Sequence, residues 1–296
     1  TVKQLNVVNY SMVISNVRII NIGVKNPILK IKVYFLLFPC NSSNLNIQFI
    51  RTLISTIVQL NRSVLILKIL KNKILKMFRK GIINMKTVLI IGANGRVSIE
   101  ATKIFLENSS FNVDLFLRNA HRIPDYASNR VTVYEGDAKN LEDLEKALDE
   151  VDVVFASLSG SLDRQAKTIV EAMANKNVKH LIFVAAPGIY NELPEQFNEW
   201  NKEQFGDKLN LYRKASDIIE NSNLDYTIIR PGWLTDKNEN VFEVTTKDET
   251  FKGTEVSRKS VASLAVQIAK NPELHSKENI GVNKPGTEGD KPAWFD

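Results

Sequence analysis

The sequence predicts an α/β fold built on a doubly wound parallel sheet, and three observations predict it. The first is an apolar run without helical period, Thr87-Val-Leu-Ile-Ile91, which ends in Gly92 and Gly95. It opens into a segment whose Ile99, Ile104, Phe105 and Leu106 fall on one helical face. The second is that strand-like runs alternate with helix-like stretches through six rounds from residue 85 onward. The third is length and composition, since 296 residues at 44% apolar content are ample for a sizeable core.

The opening strand is β-branched and apolar throughout, so it suits the centre of a sheet covered on both faces. In the spacing Gly92-x-x-Gly95-x-x-Ser98, the glycines permit a tight turn and let bare backbone approach a phosphate. Ser98 is small enough for close helix-to-strand packing. The free N–H groups and positive dipole end of the helix then converge where a dinucleotide pyrophosphate would lie. An ordinary strand-turn-helix also uses two glycines, so the turn needs its context.

The second strand, Asn112 to Leu117, ends at Arg118. In such a fold this tip meets the adenosine ribose, where an acid accepts from a free 2′-hydroxyl and a cation holds a 2′-phosphate. Arg118, with Arg122 behind it and Arg96 in the glycine loop, favours NADP over NAD. The third strand, Val131 to Glu135, closes at Gly136-Asp137, and Asn140 with Asp143 reads as the N-cap of a helix over Leu141 to Leu148. Asp137 and Ala138 stand at a strand's C-terminal end, which fits an adenine contact or a plain turn.

Asp152 to Ala156 is a fourth strand. The small-residue loop Ser157-Leu-Ser-Gly160 follows it, and then a helix from about Leu162 to Asn175 with Ile169, Val170 and Met173 inward. His180 to Ala186 and Tyr226 to Arg230 are the fifth and sixth strands. Between them, residues 187–211 carry Tyr190, Phe197, Trp200 and Phe205, a segment suited to a substrate wall or to peripheral packing. Val241 to Thr246 reads as a strand of a small C-terminal cap region, with cap elements over 233–256. Ser257 precedes a final helix, Val261 to Ala269, stopped near Pro272.

Charge divides the chain. Residues 1–84 hold 13 Lys or Arg and no acid, a net +13, whereas residues 85–296 hold 26 basic and 33 acidic residues, a net −7. The overall basic balance therefore describes neither part and does not argue for nucleic acid. Met85 stands two residues before the first strand, while the chain opens on Thr1. We therefore expect residues 1–84 to be an extension outside the functional domain, such as upstream sequence read through in translation. Its longest apolar run, Val33 to Phe38, is far short of the ~20 residues that cross a bilayer. Leu65 to Ile83 patterns as a basic amphipathic helix suited to an anionic membrane surface, and an acid-poor basic segment also suits a targeting presequence. Cys40 is the only cysteine, which excludes an intrachain disulfide and places the domain in a reducing compartment, the cytoplasm. His121, His180 and His275 lack ligand spacing, so no metal is expected.

Gly92-Ala-Asn-Gly95-Arg96, the Leu117-Arg118-Asn119 strand end, Gly136-Asp137-Ala138, Leu181 through Tyr190, and Leu224 through Gly232 occur in this order. Together they resemble the atypical short-chain dehydrogenase/reductases, the NmrA-like and NAD(P)H-binding branch that includes biliverdin-IXβ/flavin reductases. The resemblance covers residues 85–296 and none of 1–84. It implies an NADP-binding Rossmann fold with Gly92, Asn94, Gly95, Arg96, Val97, Arg118, Asp137 and Ala138 at the cofactor. Ser157, Leu158 and Ser159 would lie nearer the nicotinamide ribose.

Catalysis does not carry over cleanly. The wider superfamily uses a Ser, a Tyr that protonates the substrate oxygen, and a Lys four residues later that lowers the tyrosine pKa. Here the serine position is Ala185 or Ala186, and Tyr212-Arg-Lys-Ala-Ser216 puts serine at the lysine position with Lys214 out of step. Two readings stay open. One is an NADPH-dependent reductase of a small carbonyl, quinone or flavin-like acceptor, with Tyr190 or Tyr212 as proton donor. The other is an NADP(H)-binding sensor that regulates a protein partner.

Overall fold

The computed structural model describes residues 85–108, 110–124, 126 and 128–295, together with two short strands at 19–23 and 32–36. The two strands, β1 (Ile19–Gly23) and β2 (Lys32–Leu36), pair antiparallel within the unit Thr1–Ile74. The amphipathic stretch 65–83 and Cys40 lie outside the described residues. Everything below belongs to the unit Leu75–Asp296.

Its sheet has eight strands. In the order across the sheet they are β10 (Glu243–Thr245), β12 (Glu278–Asn283), β8 (Asp225–Pro231), β7 (His180–Val184), β6 (Val153–Ser157), β3 (Lys86–Ile91), β4 (Phe111–Leu117) and β5 (Val131–Glu135). All neighbours are parallel except β10, which runs antiparallel to β12. The chain starts in the middle at β3, winds outward through β4 and β5, then returns to β6 and winds the other way. The C-terminal ends of β3 and β6 therefore form a switch point, where an open α/β sheet leaves a crevice. The doubly wound fold expected from the sequence is the fold observed.

Helices cover both faces. On one, α1 (Arg96–Glu107) and α6 (Arg258–Lys270) bury Val97, Ala101, Phe105, Val261, Leu264 and Ala265 against Val88, Ile90 and Val113. On the other, α2 (Leu141–Ala147), α3 (Leu162–Asn175) and α5 (Lys208–Glu220) bury Leu144, Ala166, Ile169, Ala215 and Ile219 against Leu89, Val154 and Leu181. Alternate residues of β3 feed the two faces, which is why its sequence is apolar without a break.

Two expectations change. The strand read within Val241 to Thr246 is Glu243–Thr245, which pairs with β12 and so extends the main sheet at its edge. β12 itself, a seventh parallel strand, was hidden by Gly281. A Cβ there would sit 2.4 Å from Thr245 Oγ1 and 2.7 Å from the Phe251 ring, so the glycine that reads as a breaker is what lets β10 and Phe251 close over the strand. Within 187–211 the chain forms α4 (Glu195–Phe205), and α5 starts at Lys208, so Tyr212 stands in its second turn. A short parallel pair, β9 (Trp233–Thr235) with β11 (Glu255–Ser257), then leads into α6. Among the described residues no helix is long and apolar enough to cross a membrane.

Candidate functional site

A cleft of about 380 Å³ opens over the switch point. Its floor is the glycine turn. Gly92 adopts φ +82°, and a Cβ on it would lie 2.4 Å from the carbonyl oxygen of Ser157, so β3 and β6 close on each other only with glycine here. Gly95 is the N-cap of α1 and supplies no side chain to satisfy the first N–H groups, and no acid stands in the first turn. The other capped helices differ: Asn140 Oδ1 accepts from the Asp143 N–H at the start of α2, and Ser257 Oγ accepts from the Ser260 N–H at the start of α6. The N-terminus of α1 thus meets the cleft uncapped, as α3, α4 and α5 also start without a side-chain cap, while α2 and α6 are closed by their own residues.

Around this floor the structure gathers all eleven residues expected at the cofactor: Gly92, Asn94, Gly95, Arg96 and Val97, then Arg118, then Asp137 and Ala138, then Ser157, Leu158 and Ser159. Four strand ends, those of β3, β4, β5 and β6, bring them together. Asp137 is partly committed, since its Oδ1 accepts from the Lys139 N–H at 3.0 Å.

The three arginines do not act alike. Arg118 and Arg122 are exposed at the tip of β4 with no acidic partner among the described residues, and Asn119 between them takes a left-handed turn at φ +61°. Arg96 instead reaches Asp236, in the loop after β9, and Arg258 holds the same carboxylate at 2.8 Å. Arg258 is largely buried and also lines the cleft, and burial together with neighbouring Arg96 lowers its pKa from the ordinary value. Its position at the first turn of a helix remote in sequence gave no motif by which to find it.

The two tyrosines separate. Tyr212 lines the cleft beside Ala185, Pro231 and Leu234, and burial raises its phenol pKa, so it is a neutral O–H donor near pH 7. Four residues on, Ser216 is fully buried and Lys214 is exposed. No lysine supports the phenol from the next turn, as the spacing implied. Tyr190 is turned away from the cleft. Its hydroxyl donates to Glu220 Oε1 at 3.0 Å and accepts from Asn279 Nδ2 at 2.9 Å, at the far end of α5 and on β12. Arg213 and Lys247 lie over its ring, 4.4 and 4.2 Å from the centroid. Tyr190, expected to meet an acceptor, is not among the residues that line the cleft, and Glu192 holds the loop after β7 by accepting from the N–H groups of Gly188 and Tyr190, each at 2.9 Å.

One further residue escaped the sequence. Gln165, in the first turn of α3, lines the cleft although it reads as an ordinary polar helix position.

The comparisons agree with this geometry. The chain is 41% identical to a Rossmann-fold NAD(P)-binding family protein from Shigella flexneri, over 70% of this chain and 98% of that one, with a TM-score of 0.62. It is 30% identical to a short-chain dehydrogenase/reductase (wide type) from Veillonella parvula DSM 2008 solved in complex with NADP, over 71% and 99%, with a TM-score of 0.68. It is 28% identical to the uncharacterized sugar epimerase YhfK of Bacillus subtilis (strain 168), over 69% of this chain and 95% of that one. A family model described as NAD(P)H-binding matches residues 92–272, more than half of the chain. On that match, and on the open helix end, glycine turn and strand order that accompany it, the chain belongs to the NAD(P)H-binding family.

Proposed function

We propose that the protein is an NADPH-dependent oxidoreductase acting on a small carbonyl, quinone or flavin-like acceptor. The observation that carries this reading is that Tyr212, a protonated phenol, stands in the same cleft as the open N-terminus of α1 and the Ser157–Ser159 loop. When bound, the cofactor supplies a hydride. The chain's own residues do the rest. Gly92, Gly95 and the first N–H groups of α1 receive the pyrophosphate, and Arg118 with Arg122 holds the 2′-phosphate. Tyr212 delivers a proton to the acceptor oxygen. With serine at position 216, nothing lowers the Tyr212 pKa, so positioning bears more of the rate than acid strength does.

A second reading, an NADP(H)-binding sensor that signals to a protein partner, is favoured by Ala185 and Ser216 at the superfamily's serine and lysine positions. One experiment separates the two. NADPH binding is followed by nicotinamide fluorescence, and turnover is followed on a panel of carbonyl, quinone and flavin acceptors. We expect turnover on at least one acceptor, a loss of at least about tenfold in kcat for Tyr212→Phe, and unchanged NADPH affinity. Binding with no turnover on any acceptor transfers the protein to the sensor reading.

A further inference from the structure

Gln165 is 8% exposed, and its Oε1 is buried without a hydrogen-bond partner, yet it lines the cleft. A buried amide carbonyl without a donor is costly, and such groups in folded proteins mark a place where something else supplies the bond. The location says what kind of group. Gln165 follows the Ser157–Gly160 loop by one helical turn, its own N–H is tied to the Ser161 carbonyl at 3.0 Å, and its side chain lines the cleft. Val184, Ala185 and Tyr212 form that side of the cleft, opposite the Arg118 corner across the glycine turn.

The chemistry narrows it further. A pyrophosphate offers only acceptors, so it cannot satisfy the Gln165 carbonyl. The adenine half belongs to the far corner, at Arg118, Asp137 and Ala138. What remains on the Tyr212 side is the nicotinamide half, whose ribose carries two neighbouring hydroxyls. Each of these both donates and accepts. One amide, with a carbonyl and an NH₂, matches such a diol in a way that a single hydroxyl or an ammonium does not. The superfamily's lysine is absent at position 216, and Ser216 is itself buried with an unpartnered Oγ, so beside Tyr212 α5 offers no amine to the same spot.

We propose that Gln165 is a cofactor-positioning residue that binds the nicotinamide-ribose diol and fixes the reactive half of NADPH beside Tyr212. This rests on the cofactor reading above. The test uses two ligands on the full chain: NADPH, and 2′,5′-ADP, which keeps the adenosine and its 2′-phosphate and lacks the nicotinamide half. Gln165→Met preserves length and volume and removes the amide. We expect it to weaken NADPH roughly three- to tenfold, the worth of one net hydrogen bond, and to leave 2′,5′-ADP within about twofold. Gln165→Asn, which keeps the amide but draws it back by one methylene, should show the same split. Equal losses for both ligands in both variants make Gln165 a packing residue and overturn the proposal. Unchanged NADPH affinity with a raised KM for the acceptor assigns the amide to the substrate, and overturns it as well. A wild type that binds 2′,5′-ADP but not NADPH removes this inference alone, whereas one that binds neither removes the cofactor reading with it.

Discussion

Two polar regions of this domain, one around Arg230 of β8 and one in the cleft, are built to opposite rules. Around Arg230 nearly every polar group is answered. The guanidinium is fully buried in β8, pairs with Glu192, and donates from Nε to Asn279 Oδ1 at 2.7 Å. Asn279 Nδ2 reaches Tyr190 and Glu220, each at 2.9 Å, and Lys247 closes the chain on Glu220 at 2.9 Å. In the cleft the same kinds of group are left open: an uncapped helix end, two exposed arginines, and an amide without a partner. The difference teaches where to look for function. A buried charge that is fully answered holds the fold together, and unanswered groups converging on one crevice are shaped for a ligand.

The sharpest way to break the comparison is to unbalance the closed region. Glu192→Ala strands Arg230 in the core and frees the backbone N–H groups of Gly188 and Tyr190, so we expect a loss of about 3–5 kcal/mol, read as a lower midpoint in urea. A variant that unfolds with the wild type would show that the network is not structural. In the open region the largest expected effect is on binding. Arg118→Ala should weaken NADP about ten- to hundredfold and leave NAD nearly unchanged. Equal losses for both cofactors would remove the 2′-phosphate from the tip of β4.

Tyr190→Phe then tests the boundary between the two regions. Because Glu220 keeps Lys247 and Asn279, the cost should be only about 1 kcal/mol, with kcat unchanged. Burial, and then the Glu220 charge, push the Tyr190 pKa up when folded. Its contribution is therefore present below the unfolded value near 10 and is lost as pH rises through the folded value. The variant should lose less stability than wild type in alkali. A fall in kcat of tenfold or more would return Tyr190 to the site.

Much of this was legible in the sequence, and the limits have physical causes. β3, the glycine turn and Arg118 were readable because each signal is local: a run of apolar residues, a spacing, a strand tip. The Asn140 cap was readable for the same reason, since a cap spans three residues. Gln165 and Arg258 were not, because a polar residue in the first turn of a helix means nothing until the tertiary fold shows what it faces. Tyr190 misled for a related reason. Its place after β7 put its Cα near the expected edge, but direction was decided by Glu192 and by Glu220, the latter 30 residues on. Chain position gave proximity, and only the hydrogen bonds gave orientation.

The smallest effect concerns His180, which opens β7 and does not line the cleft, and it tests whether an unanswered group outside the cleft is simply a cost. It is buried, and its Nε2 has no partner among the described residues. Burial lowers its pKa below the ordinary 6.5, and the Asp225 charge opposes this only in part. The folded state thus favours the neutral ring. A group with a depressed folded pKa contributes stability above its unfolded value, and that contribution is lost as pH falls. His180→Leu removes the titration and keeps the side chain apolar beside Leu181 and Val153, its strand neighbours. Wild type and variant should therefore differ by an amount that shifts in the variant's favour between about pH 7 and pH 5, as read from urea midpoints. No such shift would mean that the imidazolium finds a partner on protonation, with Asp225 the nearest charge to supply it. His180 would then be answered on demand, which the amide of Gln165 in the cleft is not without a ligand.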